Sequence, residues 1–405
     1  MTRISLPFYR LRGGQMVRWI FAVVWILGTL ISLPSARAQS GDGKKSLNFT
    51  WNGYMKHMHT AIYQPFLDEV FIDGLFQNRL NFTLAGDQSP WVLHAGLRNR
   101  LFYGNYFELD PDRGLNIHVD NNDFLPLSIN ILDGEHLLLN TYLDRLYVQW
   151  SRKAWEIRVG RQRINWGIST FWNPNDLFNT FDFTDFDYEE RPGSDAVRIT
   201  WYAGPVSRLE GAIQMADRWD DVTAAMLYRW NSGAFDFQII GGKFRKNITV
   251  GGGWSGYLGD VGFKGELMYF DATESGVSNT FNLTAGLDYF FGDDVFAGIG
   301  YLYNESGTTD QGSNLFLFEL SARNLYPYRH AMYGNANIIL SPLLTAGASL
   351  VYSPVKSDPW FISPNLSYSL ATNWDLDFVS QFFVAEAPTV NLNVFAFFLR
   401  TKWSF

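Results

Sequence analysis

Cysteine is absent from the 405 residues. That excludes disulfide frameworks, thiolate metal sites and cysteine nucleophiles together. Charge is scarce as well: Asp, Glu, Lys and Arg make up 18% of the chain, against about 25% in ordinary soluble domains. Basic residues number 32 and acidic residues 40, a net charge of -8. A nucleic-acid surface needs an excess of Lys and Arg to neutralise phosphates, so no nucleic-acid partner is expected. Long apolar runs are missing after residue 38, and mean hydropathy is only -0.10. A bundle of membrane-spanning helices, each needing about 20 apolar residues, is therefore ruled out.

Aromatics are what the chain has in excess: 34 Phe, 20 Tyr and 15 Trp, beside 36 Gly. Abundant aromatics at near-neutral hydropathy suit a barrel whose strands alternate between lipid-facing and water-facing residues. The N-terminus reads as an address. Residues 1–38 carry Arg3, Arg10, Arg12, Arg18 and Arg37 with no acid, and Trp19 to Leu33 is an apolar run of 15 residues. Ala36-Arg37-Ala38 then gives a small-x-small cleavage pattern. Basic flank, short apolar stretch and small-residue site form a secretory signal peptide, expected to be cleaved after 38. The rest, 39–405, is expected to be a single domain with 27 basic and 40 acidic residues. Export of such a chain points to the periplasm or to the outer membrane of a Gram-negative cell, the latter with outer-membrane lipids as its surroundings.

From Leu47 onward the pattern has period two, as strands with two different faces require. Trp91, Leu93, Ala95 and Leu97 alternate with Val92, His94, Gly96 and Arg98; Val197, Ile199 and Trp201 alternate with Arg198, Thr200 and Tyr202. Short turns such as 151–154, 203–206 and 231–234 interleave with longer connections such as 60–74, 104–139 and 164–194. Such alternation is the arrangement of periplasmic turns and extracellular loops. It predicts an all-β transmembrane antiparallel barrel of 18 strands. Sixteen is the alternative count, because Lys56, His57 and His59 interrupt strand 1 and Leu315–Leu320 is an ambiguous apolar piece. Trp403 and Phe405 end an alternating segment and resemble the C-terminal signal read by the barrel-assembly machinery. A soluble sandwich is the bland alternative, but 18 aromatic-rich strands would demand an implausibly large core.

Charged residues facing lipid cost about 2–4 kcal/mol at the midplane, so the polar face is assigned to the lumen. On strands 2 to 6 it holds Arg79, Arg98, Arg100, Arg145, Arg158 and Arg198, one basic wall. After strand 5 comes Ile164–Ser194, with the acids Asp176, Asp182, Asp185, Asp187, Glu189 and Glu190 and eight aromatics. Burying so many rings is favourable by about 25 cal/mol per Å², so the loop is expected to fold into the barrel. Its carboxylates would then narrow the lumen opposite the arginines and create a transverse field that selects solutes. The rival reading makes these charges mutually neutralised struts, as the inward residues of any wide barrel can be.

Val159-Gly160-Arg161-Gln162-Arg163, Trp166-Gly167 and Trp172-Asn173-Pro174-Asn175-Asp176 resemble the "GRQ…WG…NP" stretch of porin-like outer-membrane proteins. The large loop after the fifth strand is similar to the constriction loop of general porins. The strand count is also that of sugar porins and alginate-export barrels. The resemblance implies a channel for passive diffusion of small hydrophilic solutes, without cofactor, and leaves the oligomeric state open. Arg161 and Arg163 have the wrong parity for the lumen and are expected at the rim or on a bulge.

Other signals are weaker. Gly251–Gly256 matches G-x-G-x-x-G, but strands flank it on both sides where a dinucleotide site needs a following helix. Asp110–Gly114 and Asp120–Asp123 offer oxygen ligands without EF-hand spacing. His57 and His59 share a strand face but lack a third metal ligand. No G-x-S-x-G elbow is present, so a barrel-embedded lipid hydrolase has no motif behind it. An export or surface-binding barrel for an acidic polysaccharide remains the second reading.

Overall fold

The computed structural model describes residues 47–65, 68–104, 124–134, 136–180, 186–187, 193–274, 277–309, 320–386 and 392–405. The expected signal peptide lies outside the described residues. So do Asp110–Gly114, Asp120–Asp123 and most of the ambiguous 315–320 piece.

Alternating sequence becomes strand nearly throughout. The strands are β1 (Leu47–Gln64), β2 (Glu69–Gly86), β3 (Trp91–Gly104), β4 (Ser128–Gly134), β5 (Leu137–Arg152), β6 (Trp155–Gln162) and β7 (Ser194–Tyr202). They continue as β8 (Arg208–Gln214), β9 (Thr223–Ser232), β10 (Phe235–Phe244), β11 (Asn247–Leu258), β12 (Val261–Ala272) and β13 (Thr280–Phe291). The last six are β14 (Val295–Asn304), β15 (His330–Ser341), β16 (Leu344–Tyr352), β17 (Trp360–Ala371), β18 (Trp374–Ala385) and β19 (Leu392–Ser404). Each strand of the barrel pairs antiparallel with the next, β3 with β5, and β19 returns to β1. The result is a closed barrel of 18 strands. The remaining strand, β4, adds to the upper half of β5 beyond the end of β6.

Two connections are shorter than the sequence suggested. The expected loop 60–74 is mostly strand, because β1 runs on to Gln64 and β2 begins at Glu69. Alternation carries through there, with Val70 and Ile72 exposed on the outer face. The expected loop 104–139 contains β4.

The outer face is apolar and exposed in the isolated chain, as at Ile239, Ile248, Val250, Ile299 and Leu399. Trp91 lies against Trp150, Trp155 against Trp201 and Trp374 against Trp403, all at the short-turn end. Such a ring of indoles marks one membrane interface. Phe405 closes the seam: its backbone N–H donates to Gly53 O and Gly53 donates back to Phe405 O, each at 2.9 Å. Its ring rests 5.5 Å from that of Trp51. A Cβ on Gly53 would lie 2.2 Å from Arg79 O and 3.0 Å from the Phe405 ring, so only glycine fits this corner.

Among the described residues the apolar core is inside the barrel, supplied by the segment after β6. Ile164, Trp166, Leu177 and Phe178 pack on Ala196, Ala212, Leu227, Ile240, Phe244, Met268 and Phe270 of the facing strands. Trp172 packs into a second cluster with Tyr326, Tyr333, Phe361 and Phe383.

Candidate functional site

The site is the lumen, and the described residues of the segment after β6, 164–180 and 186–187, shape it. This segment leaves β6 through Gly160, whose φ of +119° and approach to Leu146 O, 2.2 Å from a virtual Cβ, admit no other residue. Gln162 follows, fully buried, its side-chain amide donating to Ala196 O at 3.0 Å. The chain then turns inward. Trp166 donates its indole N–H to Glu210 of β8, and Gln238 of β10 donates to Trp166 O at 2.8 Å. Farther across, Glu266 of β12 accepts the backbone N–H groups of Ile168, Ser169 (2.6 Å) and Asn175 (2.9 Å). Asn175 also donates to Gly252 O at 2.8 Å, and Phe171 stacks on Tyr333 of β15 with ring centroids 4.5 Å apart.

The conformation of the loop itself depends on the Gly167–Asn173 contact, where a Cβ on Gly167 would lie 2.4 Å from Asn173 Oδ1. The glycine run of β11 makes room for the loop. A Cβ on Gly253 would come within 2.8 Å of Ile168 Cδ1 and 3.2 Å of Asn175 Nδ2. The formal G-x-G-x-x-G match is therefore a packing surface within one strand.

On its return the segment reaches the opposite side of the seam. Asp187 contacts Lys56 Nζ of β1 at 2.6 Å and Arg400 Nη1 of β19 at 2.8 Å, and Arg400 also holds Asp377 at 2.9 Å. Phe186 packs on Phe398 with centroids 4.6 Å apart. Lys56, which interrupted the pattern of strand 1, is thus a buried lumen cation with a carboxylate partner. His57 and His59 point outward, with His57 Nε2 2.7 Å from Tyr103 Oη.

Arg79 (β2), Arg98 and Arg100 (β3), Arg145 (β5), Arg158 (β6) and Arg198 (β7) all lie on the inner face. Among the described residues, carboxylate partners of these arginines come from strands. Asp144 Oδ2 is 3.0 Å from Arg79 and 3.5 Å from Arg98; Glu156 is 3.0 Å from Arg158; Glu210 is 2.8 Å from Arg198 and 3.6 Å from Arg208. Rings face the arginines too: Arg100 lies 4.6 Å from the Tyr142 centroid and Arg158 lies 5.7 Å from that of Tyr147. Arg100 also donates to Asn140 Oδ1 at 3.1 Å.

Of the loop acids, Asp176 is fully buried and Asp187 pairs with Lys56 and Arg400. Asp182, Asp185, Glu189 and Glu190 lie outside the described residues. Asp144, Arg208, Glu266 and Arg400 escaped emphasis in the sequence. Asp144 had a signal: two adjacent charges in one strand, Asp144-Arg145, conflict with strict alternation unless a bulge intervenes.

Arg161 keeps the parity of the outward Val159, yet it is 2% exposed. It forms a two-pronged pair with Asp195 of β7 at 2.9 and 2.8 Å, under Leu125, whose O accepts from Arg161 and whose N–H donates to Asp195.

No protein-family model and no curated protein matches the chain. Solved structures do match in fold. Pseudomonas aeruginosa OccK9 (OpdG) superposes with a TM-score of 0.59 at 12% identity, covering 88% of this chain and 98% of that one. P. aeruginosa OpdL gives 0.55 at 12% identity over 88% and 99% of the two chains. P. aeruginosa OpdK, solved with vanillate, gives 0.55 at 10% identity over 88% and 98%.

Proposed function

We propose that this chain is an outer-membrane channel for passive diffusion of small hydrophilic solutes, with anionic solutes favoured. The observation that carries this reading is the division of the lumen. From Ile164 to Phe178 the in-folded segment packs on β7 to β18, and Phe186 and Asp187 reach the β1–β19 seam, whereas the six arginines line β2 to β7. A closed barrel with a pinned inner loop and a basic flank is a passage with a polarised wall, and guanidinium groups recognise carboxylates and phosphates. The barrels that share this fold are outer-membrane porins. This supports a channel without enzymatic chemistry, exported by residues 1–38 and inserted by the barrel-assembly machinery through the Trp403–Phe405 end.

Rings beside the cations add a preference. Tyr142, Phe102 and Tyr147 face Arg98, Arg100 and Arg158 at 4.6 to 5.7 Å. A solute with an aromatic ring and a carboxylate would meet both features, and vanillate, the molecule in the OpdK structure, is of that kind.

The test is current through the mature chain refolded into a planar bilayer, together with swelling of liposomes in benzoate and in an uncharged sugar of equal size. Discrete long-lived steps and faster benzoate entry are expected. Silence from folded protein, or equal entry of both solutes, would contradict the reading.

A further inference from the structure

The chain has six histidines, and strand parity separates them. His57 and His59 lie on the outer face of β1, and His330 lies on the outer face of β15 with Nδ1 2.6 Å from Tyr301 Oη. His136 lies in the turn before β5, and His118 lies outside the described residues. His94 of β3 differs. It sits across from Thr83 of β2 and Tyr147 of β5, and it shares the inward parity of Arg98 and Arg100. Among the described residues it is the one histidine that the barrel turns to the lumen.

Its ring is held in a defined pose. Nδ1 lies 3.2 Å from Thr83 Oγ1, and the imidazole stacks on the Tyr147 ring with centroids 4.8 Å apart. Arg158 lies over the same tyrosine ring, 5.7 Å from its centroid, so Tyr147 contacts both groups. Nothing else among the described residues hydrogen-bonds the imidazole, which leaves Nε2 to the water of the lumen. Only Val92 and Leu93 separate His94 from Trp91, so the patch sits near the mouth at the short-turn end. The charged groups of the surrounding wall are Arg98 on the same strand, Arg79 on β2, Asp144 and Arg145 on β5, and Glu156 and Arg158 on β6, the last two 3.0 Å apart. The Tyr147 phenol stays neutral over the range in which an imidazole titrates.

We infer that His94 is a specificity-determining residue of the pore, the rung of the basic wall whose charge follows pH. The inference rests on the reading of the lumen as a solute passage. Arginines stay cationic at every pH a cell meets, whereas an unperturbed imidazole exchanges its proton at about pH 6.5. The Thr83 hydroxyl suits both forms, because it accepts from a protonated Nδ1 and donates to a bare one. The ring therefore changes charge without changing place. As pH falls the wall gains one positive charge beside Arg158, which draws anions and repels cations more strongly. As pH rises that charge is lost, and the arginines alone set the preference.

The experiment measures reversal potential in a potassium chloride gradient across a planar bilayer, over a series of pH values. It compares wild type, His94→Gln and His94→Arg, after heat-modifiable gel migration has shown each barrel to be folded. The chloride-to-potassium permeability ratio of wild type is expected to rise about twofold from about pH 8 to about pH 5, with its midpoint in the imidazole range. Carboxylates that gain protons at the acid end act on all three proteins alike, so the difference between them isolates residue 94. His94→Gln is expected to lose the rise, and His94→Arg to hold the acid ratio of wild type at every pH. A conducting wild type whose ratio ignores pH, or a rise that is equal in His94→Gln, would overturn the inference and leave the channel reading standing. If the Gln variant does not fold, a rise in His94→Arg equal to that of wild type overturns it instead. A wild type that passes no current would refute the channel reading itself, and this inference with it.

Discussion

Glu266 accepts the backbone N–H of Asn175 at 2.9 Å, joining β12 to a loop 91 residues earlier in the chain. The same carboxylate takes the N–H groups of Ile168 and Ser169, so one fully buried side chain fixes both limbs of the inward turn. Hydrogen bonds to a charged group contribute about 1.5–3 kcal/mol each, enough to hold a segment that water and solutes would otherwise displace. Glu266→Ala is therefore expected to free the loop, raising the mean single-channel conductance and adding rapid current noise. Steady wild-type current from the folded variant would mean that the aromatic contacts of Phe171 and Trp172 suffice.

Asp187 ties the returning limb to Lys56 and Arg400. The Lys56 side chain is 1% exposed, so Asp187→Asn takes a carboxylate from beside a buried cation. Breaking a buried pair from one side costs about 3–5 kcal/mol. Asp187→Asn is expected to lower the unfolding midpoint in detergent and to make the lumen more anion-selective. Thermal melts and reversal potentials on the same preparation check both directions.

Arg161 and Asp195 form a second buried pair, and the Leu125 backbone is held by both. Arg161→Leu strands Asp195, so it is predicted to destabilise the barrel by about 3–5 kcal/mol. The paired variant Arg161→Leu with Asp195→Leu removes both charges and is expected to recover much of that loss. Denaturant titrations of the two variants decide it.

At the seam, Gly53→Val would drive a side chain into Arg79 O and the Phe405 ring. Failure to form the heat-modifiable folded band is the expected outcome. Wild-type folding yield would show that β1 and β19 can separate at that corner without loss.

The barrel was largely legible because each strand has lipid on one side and water on the other, which writes period two into residues such as Trp91 to Leu97. The GRQ…WG…NP stretch also pointed to the right place, and its residues have physical reasons: Gly160 for a left-handed backbone, Gln162 and Trp166 for hydrogen bonds to the wall, Asn175 for Glu266. Less was legible where partners are remote. Asp187 meets Arg400 across 213 residues, and no local pattern announces that contact. Asp144 was hidden by a bulge, which breaks the parity on which the lumen assignment rests. β4 was missed because it pairs with half of one strand inside what reads as a loop. The lumen carboxylates facing the arginines turned out to include strand residues, Asp144, Glu156 and Glu210, which composition alone does not connect to their cations.

The central claim is that solutes pass beside the arginine wall, and the most direct measurement is the reversal potential of the folded triple variant Arg98→Gln, Arg100→Gln, Arg158→Gln under a salt gradient. All three face the inner side between β3 and β6, and their removal takes three positive charges from a low-dielectric passage. A clear shift toward cations relative to wild type is predicted. An unchanged reversal potential, at unchanged conductance, would place the permeation path elsewhere in the barrel and contradict the account.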